Sequence, residues 1–235
     1  MSRPRHRIAI IQSSYIPWKG YFDIIRAVDR FVLLDDAQMT KRDWRNRNLI
    51  KTDRGLQWLT IPVETKGRFH QSIDETRIAG PWADRHWASL QHAYGKAPYF
   101  AVLGPRIRTL YEAVDRESML SRINHALTRG ICDILGIMTP LEFSRAFMPQ
   151  GTKTDRLLSI CIATGATDYL SGPSAQAYLD VAQFAAAGIA VHWVDYKGYP
   201  PYPQLHNAFE HGVTILDLLL NTGADAPKYM KALLP

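Results

Sequence analysis

Cysteine is scarce: the chain holds two, Cys132 and Cys161. Each sits in an apolar helical pattern, GICDILGI and LLSICIATG. There is no CxxC and no His/Cys spacing suited to zinc. Two buried, unbridged thiols are expected, in a reducing compartment. No apolar run approaches the ~18 residues of a membrane span. The first residues are charged, and no leader-length apolar run or small-residue cleavage site follows them. A cytoplasmic location is the expectation. HExxH, HxGH, GxSxG, the Walker loop and GxGxxG are all absent, which removes support for zinc-protease, hydrolase, P-loop and dinucleotide readings. Internal repeats and low-complexity tracts are absent too.

What is present is ordinary globular material, 46% hydrophobic and 21% charged over 235 residues. That suits a single α/β domain spanning 1–235. The net charge is +6. Part of it lies in a basic leader, Arg3, Arg5 and Arg7. A second cluster, Lys41, Arg42, Arg45, Arg47 and Lys51, differs because its arginines alternate with Trp44, Asn46 and Asn48.

Strands and helices alternate along the chain. Arg7 to Gln12 reads as a buried strand. The loop SSYIPWKG follows, then a helix over 21–28 and a strand over 31–34 ended by Asp35 and Asp36. This compact βαβ unit predicts parallel pairing with a right-handed crossover. QWLTIPV (57–63) reads as a third strand. Helices are expected over 82–94, 103–114 and 118–135, the last capped by Gly136. This helical elaboration, about 82–135, sits between strands three and four. A short strand over 141–144, a helix from Thr154, a strand at 169–170, a helix over 175–187, a strand over 189–194 and a final helix in VTILDLLLNTG complete the reading. The alternation predicts a mainly parallel, doubly wound α/β sheet.

In such a sheet, ligands bind beyond the carboxyl ends of the strands. Three segments are expected to converge there. The first holds Gln12, Ser13, Ser14, Tyr15, Pro17 and Trp18. The second holds Asp35, Asp36 and Gln38, and the third Ser171, Gly172 and Ser174. Adjacent strand residues point to opposite faces, so Asp35 and Asp36 are not a glycosidase-type pair. One of them is a candidate general base or substrate contact; the other reading is strand-end capping of loop amides. Arg45 and Arg47 offer planar forks for phosphate or carboxylate, and Trp44 a stacking face. Asn46 and Asn48 stand beside them as candidate binding residues. The cluster favours a phosphorylated or nucleotide-linked small molecule over nucleic acid, because the rest of the chain mixes charges. The histidines are scattered; His86 and His92, six apart, do not share a helix face. His70, in GRFHQSIDE, is the candidate catalytic histidine. The segment YPPYPQLHNAF is a lid or a brace, from which Tyr202, Gln204 and Asn207 are in range of a ligand. No cofactor, metal or oligomeric state is legible.

The runs IAIIQSSYIPWKGYFDII, FVLLDDAQMTKRDWRNRNLIK and QWLTIPV resemble the opening of WbqC-like proteins. GRFHQSIDE, HWASLQHAYGKAPYF, LLSICIATGATDYLSGPSAQAYL, YPQ and ILDLLLNTG extend the likeness over nearly the whole chain. Ile11 and Ser13 depart from the family pattern, which commonly has histidine and proline there. The resemblance implies association with O-antigen and lipopolysaccharide (surface-polysaccharide) biosynthesis. It implies a sugar-modifying transferase, one that acylates a nucleotide-activated or carrier-linked amino sugar, with a carrier protein as a further partner. A non-catalytic nucleotide-sugar binding protein and a nucleic-acid binder are the alternatives. PWKGYFDIIRAVDRFVLLDD also resembles, in layout, the first βαβ unit of Rossmann-like HUP-type nucleotidylyltransferases, without their HxGH histidines. That likeness implies the fold and not the adenylyl-transfer chemistry.

Overall fold

The computed structural model describes residues 4–206 and 208–233. Arg3 of the basic leader and Asn207 of the proline-rich segment lie outside the described residues. Five strands form one parallel sheet: β1 (Arg7–Ile11), β2 (Arg30–Leu33), β5 (Leu141–Phe143), β6 (Asp168–Ser171) and β7 (Ala190–Trp193). Their spatial order is β5-β2-β1-β6-β7, with β1 in the centre. The order reverses between β1 and β6, which is the switch point of a Rossmann-like sheet.

Helices cover both faces, and the period of two along each strand sorts the side chains between them. Ala9, Phe31, Leu33 and Leu170 face a core shared with α1 (Lys19–Ala27), α2 (Ala83–Tyr94), α3 (Phe100–Val114), α4 (Leu120–Leu135) and α7 (Ile215–Thr222). Ile8, Ile10, Val32 and Tyr169 face a smaller core with α5 (Lys153–Ala163) and α6 (Val181–Ala186). Burial on both faces explains why these strands read as unbroken apolar runs. Gly136, at φ +70°, closes α4 as the sequence predicts, with Ile137 N–H on the Cys132 carbonyl. Cys132 and Cys161 are buried and unbridged, one in each core.

Three expectations are corrected. The strand expected at 57–63 is outside the parallel sheet. As β4 (Gly55–Thr60) it pairs antiparallel with β3 (Arg47–Thr52) in a separate hairpin. Its one-sided exposure fits an antiparallel pair with a wet face, not a strand buried on both sides. Arg47 and Asn48, in a polar run for which no strand is predicted, therefore open β3. The helix expected over 175–187 is broken: a 3₁₀ turn (Pro173–Ala177) precedes α6, and Asp180 caps α6 by accepting the Ala182 and Gln183 amides. No helix among the described residues is long and apolar enough to cross a membrane.

Candidate functional site

The loop after β1 is held on three sides. Tyr15 N–H donates to the Trp44 carbonyl (2.9 Å), and Ile215 N–H, opening α7, donates to the Pro17 carbonyl (3.0 Å). Asn48 Nδ2 donates to the carbonyls of Tyr15 (3.0 Å) and Ile16 (2.7 Å). Ile16 sits at φ +39°, where a β-branched residue is strained, and its buried side chain and those two bonds hold it there. Strain at the end of a central strand fixes the direction in which the rest of the loop leaves the sheet.

Beyond that loop opens a cleft of about 420 Å³, within the size range of small-molecule sites. Ile11, Ser14, Pro17, Trp18 and Tyr21 come from the β1–α1 passage. Trp44, Arg45 and Asn48 come from the approach to β3, and His211 and Gly212 from the segment before α7. The walls are mostly apolar. Trp18 is braced edge-on by Tyr196 (centroids 5.3 Å apart) and tilted against Tyr199 (5.2 Å).

Polar groups are few and individually fixed. Arg45 Nη1 donates to the Gln12 and Ser13 carbonyls at 3.0 and 2.9 Å. Its Nε lies 3.6 Å from Asp43. Among the described residues no group accepts a bond from Nη2, and Arg45 lines the cleft. Asp35 lies buried beneath the loop, accepting Ser13 N–H (2.7 Å) and the Ser121 hydroxyl. Burial raises its pKa, partly offset by those bonds. His211 is held below the ordinary histidine value by desolvation and by the Lys19 ammonium, partly offset by the Glu210 carboxylate. Lys19 itself is buried, lowered to about 8 by desolvation against the pull of Asp23 and Asp217. It donates to the Pro200 carbonyl (3.2 Å), with the Tyr199 and Tyr202 rings each 5.0 Å away.

The WbqC-like family model matches residues 12–229. The chain belongs to the WbqC-like protein family. A similar protein, the uncharacterized protein Rv1507c of Mycobacterium tuberculosis (strain ATCC 25618 / H37Rv), is 49% identical over 226 residues. That match covers 96% of this chain and 97% of the relative. No solved structure gives a significant match.

In this WbqC-like chain, Ser14, Pro17, Trp18, Trp44, Arg45 and Asn48 line the cleft. The other residues singled out from sequence lie elsewhere. Gln12 serves through its carbonyl, which also accepts from Tyr21 OH (3.1 Å). Tyr15 turns into the core, where its hydroxyl meets His86 Nδ1 and Tyr111 OH, both at 2.7 Å. Asp36 points to the opposite sheet face, onto Ser144 (2.7 Å) and Arg156. Gln38 donates to the Phe69 carbonyl (2.9 Å), lining a separate groove with Lys41 and Arg68. His70 is exposed, its ring against Phe69, and lines no part of the cleft. Asn46 donates to the Ile61 carbonyl (2.8 Å). Arg47 leaves on the outer face of the hairpin, stacked 4.0 Å over Trp58.

Ser171 is buried at the end of β6, and a Cβ on Gly172 would lie 3.6 Å from the Tyr196 hydroxyl. Gly172 therefore lies against Tyr196, which braces Trp18. Tyr202 and Gln204 are a brace: each donates to Asp217 at 2.7 Å. Sequence reasoning missed His211, Lys19 and Tyr21. The signal for His211 was its place just after the proline-rich segment, which was already read as a lid or a brace.

Proposed function

We propose that the cleft binds a phosphorylated, nucleotide-linked sugar, and that the chain is a transferase modifying that sugar in surface-polysaccharide assembly. The observation that carries this reading is Arg45, which lines a cleft walled by two indoles and whose Nη2 meets no acceptor among the described residues. Indole faces suit a base or a sugar ring, and a guanidinium edge suits a phosphate oxygen. The cleft lies past the carboxyl end of β1, beside the switch point, where open parallel sheets take ligands. Membership of the WbqC-like family supports the polysaccharide setting.

His211, which lines the cleft and whose pKa is lowered by desolvation, supports proton transfer. In acylation of an amino sugar, the amine nitrogen would attack the acyl carbon. His211 would take the amine proton, and the donor's leaving group would depart with its bonding electrons. Asp36 and His70 contribute nothing to this step, since they lie away from the cleft. Asp35 would act through Ser13, by holding the loop.

Calorimetric titration tests the binding. A panel of nucleotide sugars, the parent nucleotides and the unphosphorylated sugars is run against wild type and Trp44→Ala. Binding confined to phosphorylated ligands, weakened about tenfold in the variant, is expected. A panel with no binder sinks the reading. Binding without turnover across a range of thioester acyl donors would make the chain a nucleotide-sugar binding protein.

A further inference from the structure

The hairpin of β3 and β4 has two unlike faces. Ile50 and Leu59 point into the core, where both are buried. Strand alternation sends Arg47, Lys51, Leu56, Trp58 and Thr60 to the other side; Lys51 is buried there with its ammonium on Gln204 and the His206 carbonyl, while Leu56, Trp58 and Thr60 are exposed. Leu56 is 47% exposed, Trp58 42% and the neighbouring Trp44 43%. The Trp44 and Trp58 rings lie 5.3 Å apart, and the Arg47 guanidinium covers the other indole contact at 4.0 Å. An exposed apolar patch of this kind marks an interaction surface.

Charge narrows the partner. Lys41, Arg42 and Arg54 are exposed around the patch, and Arg47 lies within it. Of the two nearby carboxylates, Asp43 is occupied by Thr40, the Trp44 amide and Arg45. Asp53 alone remains against four cations. The patch therefore joins indoles and a leucine to an excess of positive charge. Tryptophan has an apolar body and a polar edge, which suits the boundary between headgroups and acyl chains. Arginines beside it attract anionic headgroups. A protein partner of ordinary composition would supply acidic residues to pair with these cations but would not by itself select for two adjacent, half-wet indoles.

We propose that the outer face of the β3–β4 hairpin docks on an anionic lipid surface, with Trp58 and Leu56 entering the headgroup layer and Arg47, Arg42, Lys41 and Arg54 on the lipid phosphates. Trp44 belongs both to this face and to the cleft wall, so docking places the cleft mouth at the membrane. The surface stands on its own geometry and holds whatever ligand the cleft takes.

Co-sedimentation with vesicles tests it, using phosphatidylcholine alone and phosphatidylcholine mixed with phosphatidylglycerol. The full chain is expected to sediment with the mixed vesicles and at least about tenfold more weakly with the neutral ones. The double variant L56S/W58S, which leaves the cleft lining intact, is expected to lose at least about tenfold in vesicle affinity while keeping its circular dichroism spectrum. No sedimentation with the mixed vesicles overturns the proposal. So does sedimentation that the double variant retains, because that binding would be electrostatic alone. A wild-type dimer in light scattering that the double variant converts to monomer would assign the face to a second copy of the chain, and also overturns it. Failure here leaves the ligand titrations of the cleft untouched, since neither Leu56 nor Trp58 lines it.

Discussion

The indole of Trp18 occupies the space where a side chain on Gly20 would begin: a Cβ there would lie 2.3 Å from the Trp18 ring. Trp18 thus folds back over the first turn of α1, and the glycine is what admits it. Helix propensity alone favours alanine over glycine by about 1 kcal/mol. Gly20→Ala is expected to lose that gain and more, because the displaced indole leaves Tyr196 and Tyr199. The expected signature is altered tryptophan fluorescence and weaker cleft binding. A variant that is more stable than wild type with unchanged fluorescence would show that the ring is not held there.

Arg45 and Arg47, two residues apart, are expected to behave oppositely. Arg45→Ala leaves the Ser13 carbonyl without its donor and the Gln12 carbonyl with Tyr21 OH alone, which costs about 1–3 kcal/mol in a buried setting. Both melting temperature and ligand affinity should fall. Arg47→Ala removes a stack on a half-exposed indole, worth about 0.5–1 kcal/mol, and a bond to the Arg42 carbonyl, both away from the cleft, and should leave cleft affinity unchanged. Equal effects on affinity would put both guanidinia on the ligand.

The sheet was legible because its strands are short, largely apolar runs separated by helical patterns, and because Gly136 and Asp35–Asp36 punctuate the elements. The face assignment of Asp35 and Asp36 followed from strand alternation, and they do part to opposite sides of the sheet. The hairpin was not legible. Arg47 and Asn48 predict no strand because polar residues with tryptophan carry no strand period. Tyr15 read as a ligand contact because a loop tyrosine gives no sign that His86 and Tyr111, far along the chain, are waiting for its hydroxyl. His211 was missed because its place in the cleft depends on tertiary contacts, with Gln204 holding both the amide and the carbonyl of Glu210 in a segment that has no periodicity of its own.

His86 supplies a pH prediction. The Thr60 carbonyl can only accept, so Nε2 carries the proton toward it (3.2 Å) and Nδ1 accepts from Tyr15. Burial lowers its pKa to about 4. The folded value is below the unfolded value of ~6.5, so the unfolded chain takes the proton first as pH falls. Stability from neutral His86 is complete above about pH 6.5 and is lost between there and about pH 4, to a total of about 3 kcal/mol. Buried Asp23, Asp35 and Asp217, whose pKa values are raised, act in the opposite sense. The measurement is therefore the difference in pH dependence of unfolding between wild type and His86→Phe. An imidazole NMR titration of His86 with a midpoint near 6.5 would refute the assignment.

Gln204 and Asp217 hold the strap that carries His211, and their variants should separate fold from site. Asp217 is fully buried on α7 and accepts from Tyr94 OH (2.9 Å), Tyr202 OH (2.7 Å) and Gln204 Nε2 (2.7 Å). Asp217→Ala leaves three donors unpaired at about 1–3 kcal/mol each, so a loss of at least about 3 kcal/mol is expected by chemical denaturation. Gln204 lies nearer the surface. Its Oε1 accepts Lys51 Nζ (2.7 Å) and the Glu210 amide (2.9 Å), and its Nε2 also donates to the Glu210 carbonyl (3.0 Å). Glu210 precedes His211 directly, so Gln204 sets where the imidazole stands. Gln204→Ala is expected to cost less stability than Asp217→Ala, yet to weaken ligand binding and any turnover more than its stability loss accounts for. Gln204→Glu keeps Oε1 for Lys51 and the Glu210 amide but replaces the donating nitrogen with an acceptor facing Asp217. It should therefore fall below Gln204→Ala in stability. A Gln204→Ala protein with wild-type affinity would show that the strap and the imidazole it carries are packing for α7 and no part of the binding site.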